Sequence, residues 1–253
     1  MSSRPIIEVC VDSVESARAA QLGGANRVEL CSNLLEGGVT PSTGLIVTVR
    51  QKISIGLHVM IRPRGGDFFY TADEFAVMRQ DIAEAKRLGA DGVVFGILDE
   101  DGNVDAKATA HLVDLAQPLK VTFHRAIDMS RDPLASLETL KTLGVSHVLT
   151  SGREQTAIEG KEAIARLVRV SEGKIAVMAG SGILEQNVRQ LIEATGVREI
   201  HVSLSGCEPS PIRYRNERVS MGIVKGREYS RFGVLQERVE KLLEEAAKGL
   251  AAV

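Results

Sequence analysis

Apolar and polar residues alternate along eight short runs of this chain, spaced at intervals of roughly 20 to 35 residues. The first run, Ile6 to Val11, sets Ile7, Val9 and Val11 against Glu8 and Cys10. The second sets Val28 and Leu30 against Glu29 and Cys31. A fifth sets Val121 and Phe123 against Thr122 and His124, and the last opposes Ile200, Val202 and Leu204 to His201 and Ser203. A period of two is the signature of a strand with unlike faces. The apolar face packs against other apolar groups, and the second face gathers ionisable ones. Buried charge must be paired or neutralised, so a polar interior of this kind is a poor choice for a core that only holds shape.

Helical patterns fill the gaps between runs. Asp12 and Ser13 cap a helix reaching Leu22, and Pro41 and Ser42 precede one that runs through Lys52. Thr71 and Glu74 form a capping box ahead of Phe75, Met78, Ile82 and Ala85, with Gly89 as the stop. Asp132 and Pro133 open another helix ended at Gly144, and Leu184 to Thr195 is stopped at Gly196. A quasi-repeat marks the helix-to-strand joints: Gly24-Ala25-Asn26-Arg27-Val28, Gly89-Ala90-Asp91-Gly92-Val93, Gly144-Val145-Ser146-His147-Val148 and Gly196-Val197-Arg198-Glu199-Ile200. Strand entries near residues 6, 27, 57, 92, 120, 147, 174 and 199 predict a single (β/α)8 TIM barrel over 1–253. Residues 206–229 lack periodicity and read as an irregular arm, followed by a C-terminal helix ending near Leu250.

Composition narrows the function classes. The net charge of −2 gives no basic field for nucleic acid, and aromatic residues at 4% leave few surfaces for base stacking. No apolar run is long enough for a membrane span, and Arg4 and Glu8 interrupt any signal-peptide core. Three cysteines, two of them in strands, suit a reduced cytoplasmic protein better than a disulfide scaffold.

Barrel sites lie at the C-terminal ends of the strands. The inward and strand-end residues are Glu8, Cys10, Glu29, Cys31, Met60, Arg62, Arg64, His124, Arg125, Asp128, Ser151, Met178, His201 and Ser203. Glu8 and Glu29 occupy equivalent places on neighbouring strands, so one could be protonated, one paired with Arg62, or both bound to a cation, unless they belong to a structural Glu–Arg network closing the barrel floor. Cys10 and Cys31 offer soft ligands for Cu(I), and Met60, Met178 and the histidines could assist. Neither the sequence spacing nor any Cys-x-x-Cys motif points to zinc, and nothing indicates a nucleotide cofactor. His124, His201 and Asp128 are candidates for proton transfer with the glutamates. Arg62, Arg64 and Arg125, with Ser151 and the Gly180-Ser181-Gly182 turn, are candidates for holding an anion.

The chain resembles the CutC family, described as copper homeostasis proteins. The matching stretches are Ile7 to Ser13, Arg27 to Ser32, Glu36-Gly37-Gly38 with Thr40-Pro41-Ser42, Val59 through Asp67, Gly89 to Gly92 with Val94-Phe95-Gly96, Val121 to Ala126, and Leu149 to Gly152. The resemblance implies a cytosolic (β/α)8 barrel, a homo-oligomer in some members, with Cys10 and Cys31 as the copper candidates. Two departures stand out. Ser181 replaces the middle residue of a triple glycine, and Leu204-Ser205 follow His201-Val202-Ser203 where many members have Ala-Arg. Two readings compete: a copper-binding homeostasis protein, and an enzyme acting on a small anionic or phosphorylated molecule by His/Glu acid–base chemistry, with copper binding incidental.

Overall fold

Each parallel strand after the first starts just after a helix has been stopped. At Gly89 (φ +84°) and Gly196 (φ +69°) the chain enters the left-handed region, which glycine adopts without a Cβ penalty, and turns sharply into the next strand. The computed structural model describes residues 4–222 and 224–251. Eight strands follow in sequence order round a closed barrel: β1 (Ile6–Val11), β2 (Arg27–Leu30), β3 (Gly56–Met60), β4 (Gly92–Phe95), β5 (Lys120–Phe123), β6 (His147–Thr150), β7 (Ala176–Gly180) and β8 (Glu199–Val202). β8 pairs back onto β1, with Glu8 opposite His201. Every strand begins within two residues of its expected position.

The outer layer comprises α1 (Val14–Leu22), α2 (Thr43–Lys52), α3 (Ala72–Arg87), α4 (Ala106–Ala116), the single turn α5 (Ala126–Met129), α6 (Pro133–Thr142), α7 (Lys161–Ser171) and α8 (Val188–Thr195). Ser13 and Ser42 cap α1 and α2, and Thr71 with Glu74 makes the capping box of α3. Reading the sequence predicts no helix at α4 or α7; both form, and Asp105 caps α4. The helix expected from Leu184 starts at Val188 instead. Asn187 accepts from the Leu184 N–H and donates to the Gly182 carbonyl, which holds the intervening residues in a turn.

The alternation is confirmed in phase. Val9, Val28, Val202, Phe95 and Phe123 are fully or almost fully buried and share one apolar layer with helix residues such as Met78, Ile82, Leu140 and Leu191. Cys10, Cys31, Met60 and Val94 form a separate small cluster within the barrel. The expected irregular arm is partly regular. β9 (Ser205–Pro209) and β10 (Ser230–Val234) pair antiparallel as its two legs, and α9 (Gln236–Leu250) follows. Period-two alternation is missing there because both faces of this ribbon are largely exposed.

Candidate functional site

The interior side chains stack in two storeys. The lower one, at the strand starts, is a closed ionic network. Arg27 Nε donates to Glu8 Oε2 at 2.6 Å, and Arg27 Nη2 donates to Glu199 Oε2 at 2.6 Å and to Met178 Sδ at 3.1 Å. His201 Nδ1 lies 2.8 Å from Glu8 Oε1, His58 Nδ1 lies 3.5 Å from Glu8 Oε2, and His147 Nε2 lies 3.8 Å from Glu199 Oε2. Burial would raise the Glu8 pKa, but Arg27 and His201 reverse this and hold it well below the ordinary carboxylate range. Burial pushes the His58 imidazole down to about 4. Glu8 therefore pairs with Arg27 and not with Arg62, which corrects the expected Glu–Arg62 pairing. At the barrel bottom such a network serves stability.

The upper storey surrounds a cavity of about 440 Å³ at the C-terminal mouth, lined by Cys10, Glu29, Met60, Arg62, His124 and His201 among others. Its volume falls in the range of small-molecule sites. Glycines make room for the rings. A Cβ at Gly92 would lie 2.6 Å from the His58 ring, and one at Gly96 would lie 2.5 Å from that of His124.

Cys10 Sγ and Cys31 Sγ are 3.9 Å apart, and the Cys31 thiol donates to Glu29 Oε2 at 3.4 Å. The hydrogen bond from Cys31 lowers the Cys10 pKa to about 5, and the same contact with burial raises that of Cys31 well above an ordinary thiol. The pair gives up its first proton readily and retains the second. Glu29 is pushed well above the carboxylate range, first by burial and then by Cys10 and Glu8. Burial alone would lower His201, yet Glu29, Cys10 and Glu8 around it raise it well above an ordinary imidazole. Two neighbouring glutamates are thus driven to opposite protonation states. Cys10, Cys31 and Glu29 bring their ligand atoms within 4.8 Å of one another, as do Glu8, Glu29 and His201.

The arginines do not converge as expected. Arg62 is buried at the mouth, but its Nη atoms donate to the carbonyls of Glu36, Gly38 and Gly66. Arg64 turns away to Glu74 at 2.6 Å and Asp67 at 3.0 Å and does not line the cavity. Arg125 reaches the rim, where Asp128 Oδ2 at 2.9 Å and Ser151 Oγ at 2.7 Å hold it. Asp128 also accepts from the Thr150 hydroxyl and the Ser151 and Arg153 N–H groups, and it faces a neighbouring recess. Asp128 and Ser151 therefore act as supports for Arg125. Of the Gly180 to Gly182 turn only Ser181 lines the cavity. Ser181 has φ +83°, a conformation natural to glycine, and its hydroxyl is spent on the Gln155 carbonyl at 2.7 Å.

His124 does not suit proton transfer near neutral pH. Burial, with the Arg62 charge, lowers its pKa to about 3. The Ala126 N–H donates to Nδ1 at 3.1 Å, so the neutral ring carries its proton on Nε2.

Arg27, His58, His147 and Glu199 were not among the predicted site residues. Arg27, His58 and Glu199 each sit two residues before a predicted inward residue (Glu29, Met60 and His201 respectively) and His147 sits four before Ser151, so the same alternation carried further back finds them. Phe68, whose ring centroid is 4.8 Å from that of His124, comes from a loop and has no such signal.

The molecule is thus a (β/α)8 barrel whose floor is an ionic network and whose mouth combines two thiols with carboxyl, imidazole and guanidinium groups. The CutC family model matches residues 5–206. A copper homeostasis protein cutC homolog of Mus musculus is 52% identical over 86% of this chain and 80% of its own length, and that of Homo sapiens is 51% identical with the same coverage. A solved CutC structure from Streptococcus agalactiae superposes with a TM-score of 0.75 at 34% identity, covering 79% of this chain and 98% of that one. A thiamine phosphate pyrophosphorylase from Pyrococcus furiosus, at 19% identity and a TM-score of 0.58, shares the fold alone. The chain belongs to the CutC family of copper homeostasis proteins.

Proposed function

We propose that this protein binds copper as Cu(I), through the thiols of Cys10 and Cys31, and serves copper homeostasis in the cytosol, where free thiols stay reduced. The observation that carries this reading is the pair of buried sulfurs 3.9 Å apart. That separation is less than twice a metal–thiolate bond of roughly 2.3 Å, so one ion can meet both. One of the two thiols is already acidic, and thiolate is the ligating form. The Met60 thioether packs in the same cluster, and Gly38 lies so close that a Cβ there would be 3.0 Å from Cys31 Sγ. Two thiols and a thioether are a soft donor set, suited to Cu(I) and not to oxygen-seeking cations. Among the described residues no helix is long and apolar enough to cross a membrane.

Anaerobic Cu(I) titration against a chromophoric competitor tests this. The Cys10→Ser, Cys31→Ser double variant should lose most of the affinity, whereas Cys207→Ser, at an exposed thiol outside the pair, should retain it. Equal affinity in the double variant and the native protein overturns the proposal.

A further inference from the structure

The copper reading uses the sulfurs on one side of the mouth and leaves the other side unexplained. There, three buried side chains that line the same cavity hold polar atoms without hydrogen-bond partners: Glu29 Oε1, Arg62 Nε and His124 Nε2. Glu29 is 2% exposed, Arg62 5% and His124 5%. Buried polar atoms in folded proteins are almost always satisfied, and leaving one without a partner is unfavourable. Three around one cavity mark the place of a molecule that satisfies them.

The unsatisfied atoms specify its chemistry. His124 Nδ1 is occupied as an acceptor by the Ala126 N–H, so Nε2 presents a donor. Arg62 Nε also presents a donor. Its guanidinium is a buried cation whose Nη atoms donate to carbonyl oxygens and which lies over the Phe68 ring, 5.2 Å from the centroid, close to Tyr70, and among the described residues no carboxylate forms an ion pair with it within 4.0 Å. A buried cation of this kind calls for an anionic partner. Three of its five N–H groups go to carbonyls, which leaves Nε–H and one Nη2–H for a ligand carboxylate. Glu29 Oε1 adds a carboxyl oxygen, which pairs with a hydroxyl whether or not the carboxyl is protonated. The walls supply apolar contact from Phe68, Leu34 and Leu149.

We propose that the barrel mouth binds a small hydroxycarboxylic acid, its carboxylate taken by Arg62 and His124 and its hydroxyl by Glu29, beside the Cys10–Cys31 pair. The site differs from the anion site that the sequence suggests. It excludes Arg64, uses His124 as a neutral hydrogen-bond donor and not as a proton carrier, and does not draw on the Gly180 to Gly182 turn. A neutral imidazole donor is a known device for holding a developing or fixed negative charge without adding a cation. It does not depend on copper: a chain that binds no metal still has three orphaned atoms around this cavity.

Glycolate, D-glycerate and gluconate are the probes, titrated into metal-free protein at constant ionic strength and followed by calorimetry. Propionate, glycerol and inorganic phosphate are the comparisons, lacking in turn the hydroxyl, the charge and the carboxylate geometry. At least one hydroxy acid should saturate, and the His124 Nε2 resonance of imidazole-labelled native protein should move with it. His124→Asn, whose amide oxygen can take over the Ala126 N–H, should weaken that binding roughly tenfold or more, as should Arg62→Met. The NMR titration needs no variant, so a poorly folded Arg62→Met does not block the test. If none of the three acids binds up to millimolar concentration, if propionate or phosphate binds as well as the best of them, or if the His124 resonance stays fixed at saturation, the proposal is wrong.

Discussion

Replacing Arg27 with methionine removes the cation on which the barrel floor depends. Its side chain is 9% exposed, and its two partners, Glu8 at 0% and Glu199 at 11%, are as enclosed. Methionine fills a similar volume and leaves both carboxylates without their guanidinium. Breaking a buried pair from one side costs about 3–5 kcal/mol, because a buried charge is stranded. With a urea slope of roughly 2–3 kcal/mol/M, the unfolding midpoint should fall by about 1–2.5 M. The pH dependence gives a second signature. In the native protein the folded pKa of Glu8 lies below its unfolded value, so its contribution is present above about pH 4.5 and is lost as the pH falls below that. Without Arg27, burial dominates and the folded pKa rises above the unfolded one. The folded variant then holds a proton that the unfolded chain releases, and stability falls as pH rises, by up to about 1.4 kcal/mol per unit. The deficit should therefore be largest at neutral pH, fall towards pH 4.5, and shrink further in acid as native Glu8 loses its contribution. Urea melts followed by circular dichroism at several pH values measure both effects, with exposed Arg87→Met as a control that should show no measurable change. A loss below about 1 kcal/mol that does not vary with pH would refute the assignment of the floor to this network.

The acidic thiol is directly testable. In a Cys207→Ser background, iodoacetamide should label Cys10 at a rate nearly flat between roughly pH 6.5 and 8.5, since its pKa of about 5 leaves it thiolate throughout; a rate climbing with pH as for an ordinary thiol contradicts this. The glycine cradle of His124 predicts opposite signs at two glycines. Gly96→Ala places a Cβ 2.5 Å from the imidazole and 2.7 Å from Ala126 Cβ and should cost about 1–3 kcal/mol, whereas Gly44→Ala in α2 meets nothing within 4 Å and should add up to about 1 kcal/mol, both read from thermal or urea unfolding.

Much of this architecture can be read from the alternation alone, because the barrel imposes one rule on all eight strands. Inward Glu8, Cys10, Glu29, Cys31 and His201 follow from the period of two, and the strand entries follow from the glycine joints. The identity of ionic partners does not. Arg27 opens β2 and Arg62 lies two residues past the end of the adjacent β3, and only the storey each occupies decides that Glu8 meets Arg27. The stagger of strands round a barrel sets that storey, and a single strand's sequence carries no record of it. The fate of the arginines was hidden for a similar reason. Arg64 is claimed by Glu74, ten residues on in a capping box, and Arg62 by loop carbonyls. Neither competitor announces itself in a charge count. The acidity of Cys10 rests on a contact with Cys31 across two strands, which spacing permits without requiring.

The floor network also shapes how the chain is made. Glu8 and Arg27 emerge early and are 19 residues apart, but Glu199 follows Arg27 by 172 residues and His201 follows Glu8 by 193. At roughly 5–20 residues per second, a ribosome takes about 9–34 s to span the first of those gaps. Through that interval the nascent sheet carries charged side chains on the face that will become its interior, and water must solvate them. A seven-stranded fragment therefore has reason to keep its concave face wet instead of collapsing on it. β8 completes the sheet and supplies the missing ionic partners. A chain truncated before β8 lacks Glu199 and His201, and with them two partners of Arg27 and Glu8 and the strand that pairs with β1.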